Sequence, residues 1–148
     1  MRTRMRAMTF GIVAGLLWSL IPGRLSELLR SDGEVFAVLL AGVLTGITVS
    51  LILSAPVKTS GVVATLVLGL LSMPVGAFFF GVSISVLHFA IKLLTGVSYR
   101  FIEYGFHPLR IGIQYATYGS ITVFSFVFFP LAVLTTLLLQ KAVRTKEI

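Results

Sequence analysis

Residues 59–91 read TSGVVATLVLGLLSMPVGAFFFGVSISVLHFAI, a run without a single charge that Lys92 closes. How this run sits in its solvent decides the fold. The hydrocarbon core of a bilayer is about 30 Å thick and takes roughly 20 helical residues. At about 1.5 Å per residue, the run as one helix is roughly 50 Å long and overhangs that core. Folded at the SMPVG in its middle, it would instead make two spans. The first, TSGVVATLVLGLLSM, would reach only about 22 Å, short for a crossing. Its turn would also offer water only one polar side chain, Ser72. A single long helix is therefore the favoured reading, and a fold at Ser72–Gly76 is the alternative.

The remaining chain agrees with lipid as solvent. Of its 148 residues, 57% are hydrophobic and only 11% are charged, against about 25% charged in ordinary soluble domains. A chain this small has too little interior to hide so much apolar surface from water. Charges divide it into four apolar blocks: 7–23, 35–57, the opening run and 111–140. The sequence thus predicts one integral membrane domain over 1–148, an all-α polytopic membrane helix bundle. Four transmembrane helices are expected, at about 7–23, 35–55, 60–94 and 111–140, or five if the third block folds.

The fourth block is over-long like the third, and each has an internal proline, Pro130 and Pro74. Two long helices kinked at these hinges could pair antiparallel, because neighbours in a membrane re-satisfy the carbonyl that a proline frees. Short interfacial helices are expected in the connectors RLSELLRSDGE (24–34) and TGVSYRFIEYGFHPLR (95–110), which mix apolar or aromatic faces with cations. The stretch SAPVKTS (54–60) reads as a tight turn carrying Pro56 and Lys58.

The opening MRTRMRAMTFGIVAGLLWSLIPG has the outline of a signal peptide, but no small-x-small cleavage site follows cleanly. It reads as an uncleaved first span with Trp18 as an interfacial anchor. The formal charge is +7. The cations lie at the ends of apolar stretches, where anchoring and orientation account for them, so no nucleic-acid partner is expected. Four spans gather Arg2, Arg4, Arg6, Lys58, Lys141, Arg144 and Lys146 on one side. Arg24, Arg30, Lys92, Arg100 and Arg110 fall on the other. That balance puts the N-terminus in the cytoplasm. Compactness and short loops suggest a multi-pass protein of a prokaryotic cytoplasmic membrane.

Helices in lipid associate where small residues let backbones approach. Each block holds a ladder at i, i+4, i+8: Gly11-Gly15-Ser19, Gly42-Gly46-Ser50, Ala77-Gly81-Ser85 and Gly112-Ala116-Ser120. These are the expected packing faces.

Ionisable groups inside a membrane are functional candidates by default. Here the apolar blocks contain only His88, one helical turn before Lys92, and no Asp or Glu, which argues against proton-coupled transport through a buried carboxylate. His88, Lys92, Arg100, Arg110, Gln114 and Tyr118 are the candidate collar for a lipid headgroup or anionic ligand. Cysteine is absent. So are a Gly-rich phosphate loop, a nucleophile elbow, paired carboxylates and a metalloprotease helix. No catalytic residue, metal or cofactor is expected. The reading that follows is a non-catalytic integral membrane subunit or scaffold packing against a larger membrane complex. Its partners are the lipid bilayer and other membrane subunits or copies of itself. Two alternatives stand beside it: a small transporter or channel protomer acting as a homo-oligomer, with the proline helices as moving parts, and a lipid-headgroup-binding membrane protein using the 95–118 region.

Overall fold

The computed structural model describes residues 2–20, 32–96, 107–121 and 125–144. Among these the chain is all-helical: α1 Arg2–Ser19, α2 Asp32–Thr59, α3 Val62–Thr95, α4 Pro108–Ile121 and α5 Ser125–Arg144. Three helices contain stretches long and apolar enough to cross a membrane, Val35–Thr59, Val62–Thr95 and Phe126–Arg144.

The opening run is one continuous helix. α3 has 34 residues with Pro74 inside it, about 51 Å at the standard rise. A fold at Ser72–Gly76 is thereby excluded. The polar group that such a turn would have needed in water is used inside the bundle: Ser72 Oγ donates to the Gly69 carbonyl at 2.7 Å and lies 3.4 Å from Thr136 Oγ1 of α5. The helix stops where Gly96 takes a left-handed φ of 72° and returns its N–H to the Lys92 carbonyl, a conformation open to glycine at little steric cost.

Direction alternates along the chain. Gly11 and Gly15 of α1 lie against Gly46 and Gly42 of α2, so these two helices are antiparallel. α2 and α3 are joined by Ser60 and Gly61 alone and form a hairpin. Along α3, Thr65 meets Gln140, Gly69 meets Val133 and Gly81 meets Gly112, so α5 and α4 run antiparallel to it. With 14 and 20 residues, α4 and α5 measure about 21 and 30 Å, together the length of α3.

Two buried clusters mark the ends of the bundle. Ala7, Val57, Leu139 and Val143 bring α1, α2 and α5 together at one end, with Leu68 of α3 packed against them. Ala37, Ala41 and Ile84 join α2 and α3 at the other, with Phe80 and Tyr115 against them. Many large apolar side chains are exposed outside these seams. α3 alone exposes Val62, Val63, Leu66, Val67, Leu70 and Leu71, a face that hydrocarbon solvates and water does not.

Several boundaries differ from expectation. The first helix, Arg2–Ser19, begins before residue 7: the arginines are helical, with Ala7 already buried one turn further on, while residues 21–23 of the expected span lie outside the described residues. The second runs to Thr59, so 54–60 is not a tight turn. Val57 is fully buried, and the Ser60 N–H and hydroxyl both donate to the Pro56 carbonyl, which holds the last turn helical. The fourth block is recorded as α4 and α5 on either side of 122–124, and these helices begin at Pro108 and end at Arg144 rather than at 111 and 140. Pro130 lies within α5. Residues 122–124 and the expected interfacial helices of 24–34 and 95–110 lie largely or wholly outside the described residues.

Candidate functional site

The small-residue ladders of α1 and α2 face each other. A Cβ added at Gly11 would stand 2.5 Å from the Gly46 carbonyl oxygen. At Gly15 it would collide with the Gly42 carbonyl, at Gly46 with the Gly11 carbonyl, and at Gly42 with Ser19 Oγ. The two backbones are therefore in contact, with no side chain between them. Ser19 closes the seam: its hydroxyl donates to the Gly15 carbonyl at 2.8 Å, with the Val38 carbonyl of α2 at 3.4 Å. Ser50, the last rung of the α2 ladder, is buried. α2 also presents a second small face, since Ala37 and Ala41 are fully buried on the α3 side.

The α3 ladder reaches further than its three expected rungs. Thr65, Gly69, Met73, Gly81 and Ser85 are all buried, and half-buried Ala77 completes the four-residue step between them. Gly81 backs onto Gly112, where a Cβ would come within 2.9 Å of the partner Cα. Phe78 and Val82 fill the space over Gly112. Ala116 is half-buried, and the Ser120 side chain lies outside the described set. Gly69 backs onto Val133, with 2.7 Å from an added Cβ to the Val133 Cα.

Polar side chains tie the same helices. Gln140 of α5, 8% exposed, aims its amide nitrogen at three acceptors. These are the Val57 carbonyl at 2.8 Å, the Ser60 carbonyl at 3.0 Å and Thr65 Oγ1 at 2.7 Å. Its two amide hydrogens are shared among them. Arg144, one turn later, donates from Nε to the Lys58 carbonyl at 3.0 Å and from a terminal nitrogen to the Ser60 carbonyl. The last carbonyls of a helix have no partner within it. Here α5 supplies those partners for α2, and Arg144 brings a cation to the negative end of the helix dipole.

Trp18 makes a smaller joint of the same kind. Its indole N–H donates to Thr135 Oγ1 at 3.2 Å, and its ring centroid lies 6.1 Å from that of Phe128. The Thr135 hydroxyl itself donates to the Leu131 carbonyl at 2.7 Å. The expected interfacial anchor thus fastens α1 to α5, because an indole N–H within the bundle needs an acceptor.

The candidate ligand collar does not converge in the described residues. His88 is 4% exposed, in the inward stripe of α3 with Ile84 and Ser85. Lys92 is half-buried one turn beyond. Arg110, Gln114 and Tyr118 are spaced by four and share the exposed face of α4, while Tyr115 turns inward onto Phe80, with ring centroids 5.8 Å apart. Arg100 lies outside the described residues. Among the described residues, a hollow of about 450 Å³ beside α4 is lined by the consecutive His107, Pro108, Leu109 and Arg110. Among the described residues no three His, Asp or Glu side chains gather as a metal site would require.

Reasoning from the sequence missed Gln140, Thr65 and Gly69. In the sequence Gln140 stands only as the end of an apolar block. A signal was present, since it and Gln114 are the only side-chain amides in the chain, and it directly follows Leu137-Leu138-Leu139. Comparison with family models, with curated proteins and with solved structures finds no match for this chain.

Proposed function

We propose that this chain is a non-catalytic integral membrane subunit that crosses the bilayer four times and packs against a larger membrane protein. The four crossings would be α1, α2, α3, and α4 with α5 as one pass. In that topology the N-terminus and the ends of α2 and α5 share the cytoplasmic side of a prokaryotic membrane, because they carry most of the cations. Pro74 and Pro130 would then be points of give within long passes rather than chain reversals.

The observation that carries this reading is the use made of polar side chains. Gln140, Arg144 and Trp18 donate to neighbouring helices, and the Ser72 and Ser19 hydroxyls, bonded to their own helices, rest against α5 and α2. What remains outward on α1, α3 and α5 is chiefly apolar. Polar chemistry directed to joints, around a broad apolar exterior, suits a scaffold that offers its outer helices to lipid and to a partner.

The test is gentle extraction from the native membrane with a polymer belt, followed by mass and composition of the particle. A larger membrane protein in fixed stoichiometry is the expected result. A particle containing only this chain, as monomer or homo-oligomer, would overturn the proposal.

A further inference from the structure

The fold gathers the first turns of α1 and the last turns of α2 and α5 at one end. Val57, Leu139, Val143 and Ala7 form the buried floor of that end. Lys58 Nζ lies 3.5 Å from Thr3 Oγ1, so the start of α1 is beside the end of α2, and Arg144 on the Lys58 carbonyl brings the end of α5 there. Among the described residues this end therefore carries Arg2, Arg4, Arg6, Lys58, Lys141 and Arg144, with no acid. The opposite end, where α2 begins and α3 ends, has Asp32 and Glu34 in its sequence as well as Lys92 and Arg110. All but Arg6 of the first group are exposed.

A second feature says what kind of anion meets them. Large apolar side chains are exposed at the same level, within a turn or two of the cations: Met5 at 62%, Val62 at 67% and Val63 at 75%. A nucleic acid or an acidic soluble protein would leave these in water. A phospholipid covers both at once, its phosphate beside the cations and its acyl chain against the apolar side chains.

We propose that this end is a binding surface for anionic phospholipids, which the chain gathers around itself in preference to zwitterionic ones. Helix packing gathers these cations at one end, where they present a concentration of positive charge to the headgroup layer. The proposal is independent of whether the chain is a subunit or acts alone, since it concerns the lipid that surrounds it.

The test uses the full chain in phosphatidylcholine vesicles containing a minority of phosphatidylglycerol. Spin-labelled lipid of each class reports which is motionally restrained by the protein. Phosphatidylglycerol should be preferred at least about threefold at low salt. The preference should fade toward unity near 1 M NaCl, where the Debye length is about 3 Å. Arg4→Gln with Lys141→Gln should roughly halve the preference, and Lys92→Gln with Arg110→Gln should leave it in place. Equal preference for both lipids in the unaltered protein overturns the proposal without any variant. So does a preference abolished by the Lys92 and Arg110 substitutions alone. Displacement of the lipid by millimolar glycerol phosphate would make a free phosphate the ligand and would also overturn it.

Discussion

The α1–α2 seam and the α5 joint on the α2–α3 hairpin hold helices together by opposite means. The first has glycine facing glycine, with carbonyl oxygens where side chains would otherwise be. The second rests on one long amide and one guanidinium reaching across to carbonyls. In water both would be minor beside the burial of leucine. In lipid, leucine gains nothing by leaving the solvent for a neighbour, so close backbone contact and polar bonds decide which helices pair. The seam is strong only while nothing is added to it. The joint is strong only while nothing is removed from it.

The largest expected effect comes from adding to the seam. At Gly46 a new side chain would meet the Gly11 carbonyl and the Gly15 backbone, neither of which can rotate away. Gly46→Leu should force α1 off α2 and cost about 3 kcal/mol or more. Leu39→Phe, at a half-buried position on the same helix, should cost about 1 kcal/mol or less. Reversible unfolding in mixed micelles compares the two. Equal tolerance would mean that the seam is a consequence of packing elsewhere.

Removal is the informative change at the joint. Gln140→Leu keeps the volume and deprives the Val57 carbonyl and Thr65 hydroxyl of their donor, while Arg144 still reaches Ser60. A cost of about 2 kcal/mol is expected, within the range for stranding buried polar groups. A cycle with Thr65→Val should return a coupling near 0.6 kcal/mol, the usual size of an interhelical bond in a membrane. A total cost below about 0.5 kcal/mol would show that the carbonyls find other donors and that the joint follows from packing.

The weaker joint at Trp18 sharpens the scale. Thr135→Val removes the acceptor of the indole N–H and keeps the shape, and should cost about 0.6 kcal/mol. Trp18 is the only tryptophan, so its emission reports the change directly. An unchanged spectrum together with unchanged stability would place the indole outside the α1–α5 contact.

How far the sequence could be read follows the same division. The helical membrane class and the unbroken third helix were legible, because length and the absence of charge are one-dimensional properties. The facing of Gly11 and Gly15 on Gly46 and Gly42 was half legible: the four-residue spacing showed which residues share a face, not which face meets which helix. The Gln140 joint was not legible, since it links residues 75 to 83 positions apart and the local sequence shows only a polar residue at the end of an apolar run. The same limit applies to the ligand collar. His88 and Arg110, Gln114 and Tyr118 lie near one another in a linear map of the membrane, yet the histidine turns into the α3 interface and the other three turn out.

The smallest expected effect separates glycines that are packed from glycines that are merely present. Gly69 and Gly76 both lie inside α3, and composition treats them alike. A Cβ at Gly69 would come within 2.7 Å of the Val133 backbone, whereas a Cβ at Gly76 meets nothing within 4 Å. Glycine inside a helix is less favourable than alanine by roughly 0.5–1 kcal/mol, through backbone entropy. Gly76→Ala should therefore be neutral or stabilise by about 0.5 kcal/mol. Gly69→Ala should lose that gain and about 1 kcal/mol or more besides, as α5 is pushed from α3. If Gly76→Ala proved as damaging as Gly69→Ala, a surface that is open in the single chain would have to be closed in the membrane by another helix. That outcome would locate the partner face of the proposed complex beside Pro74.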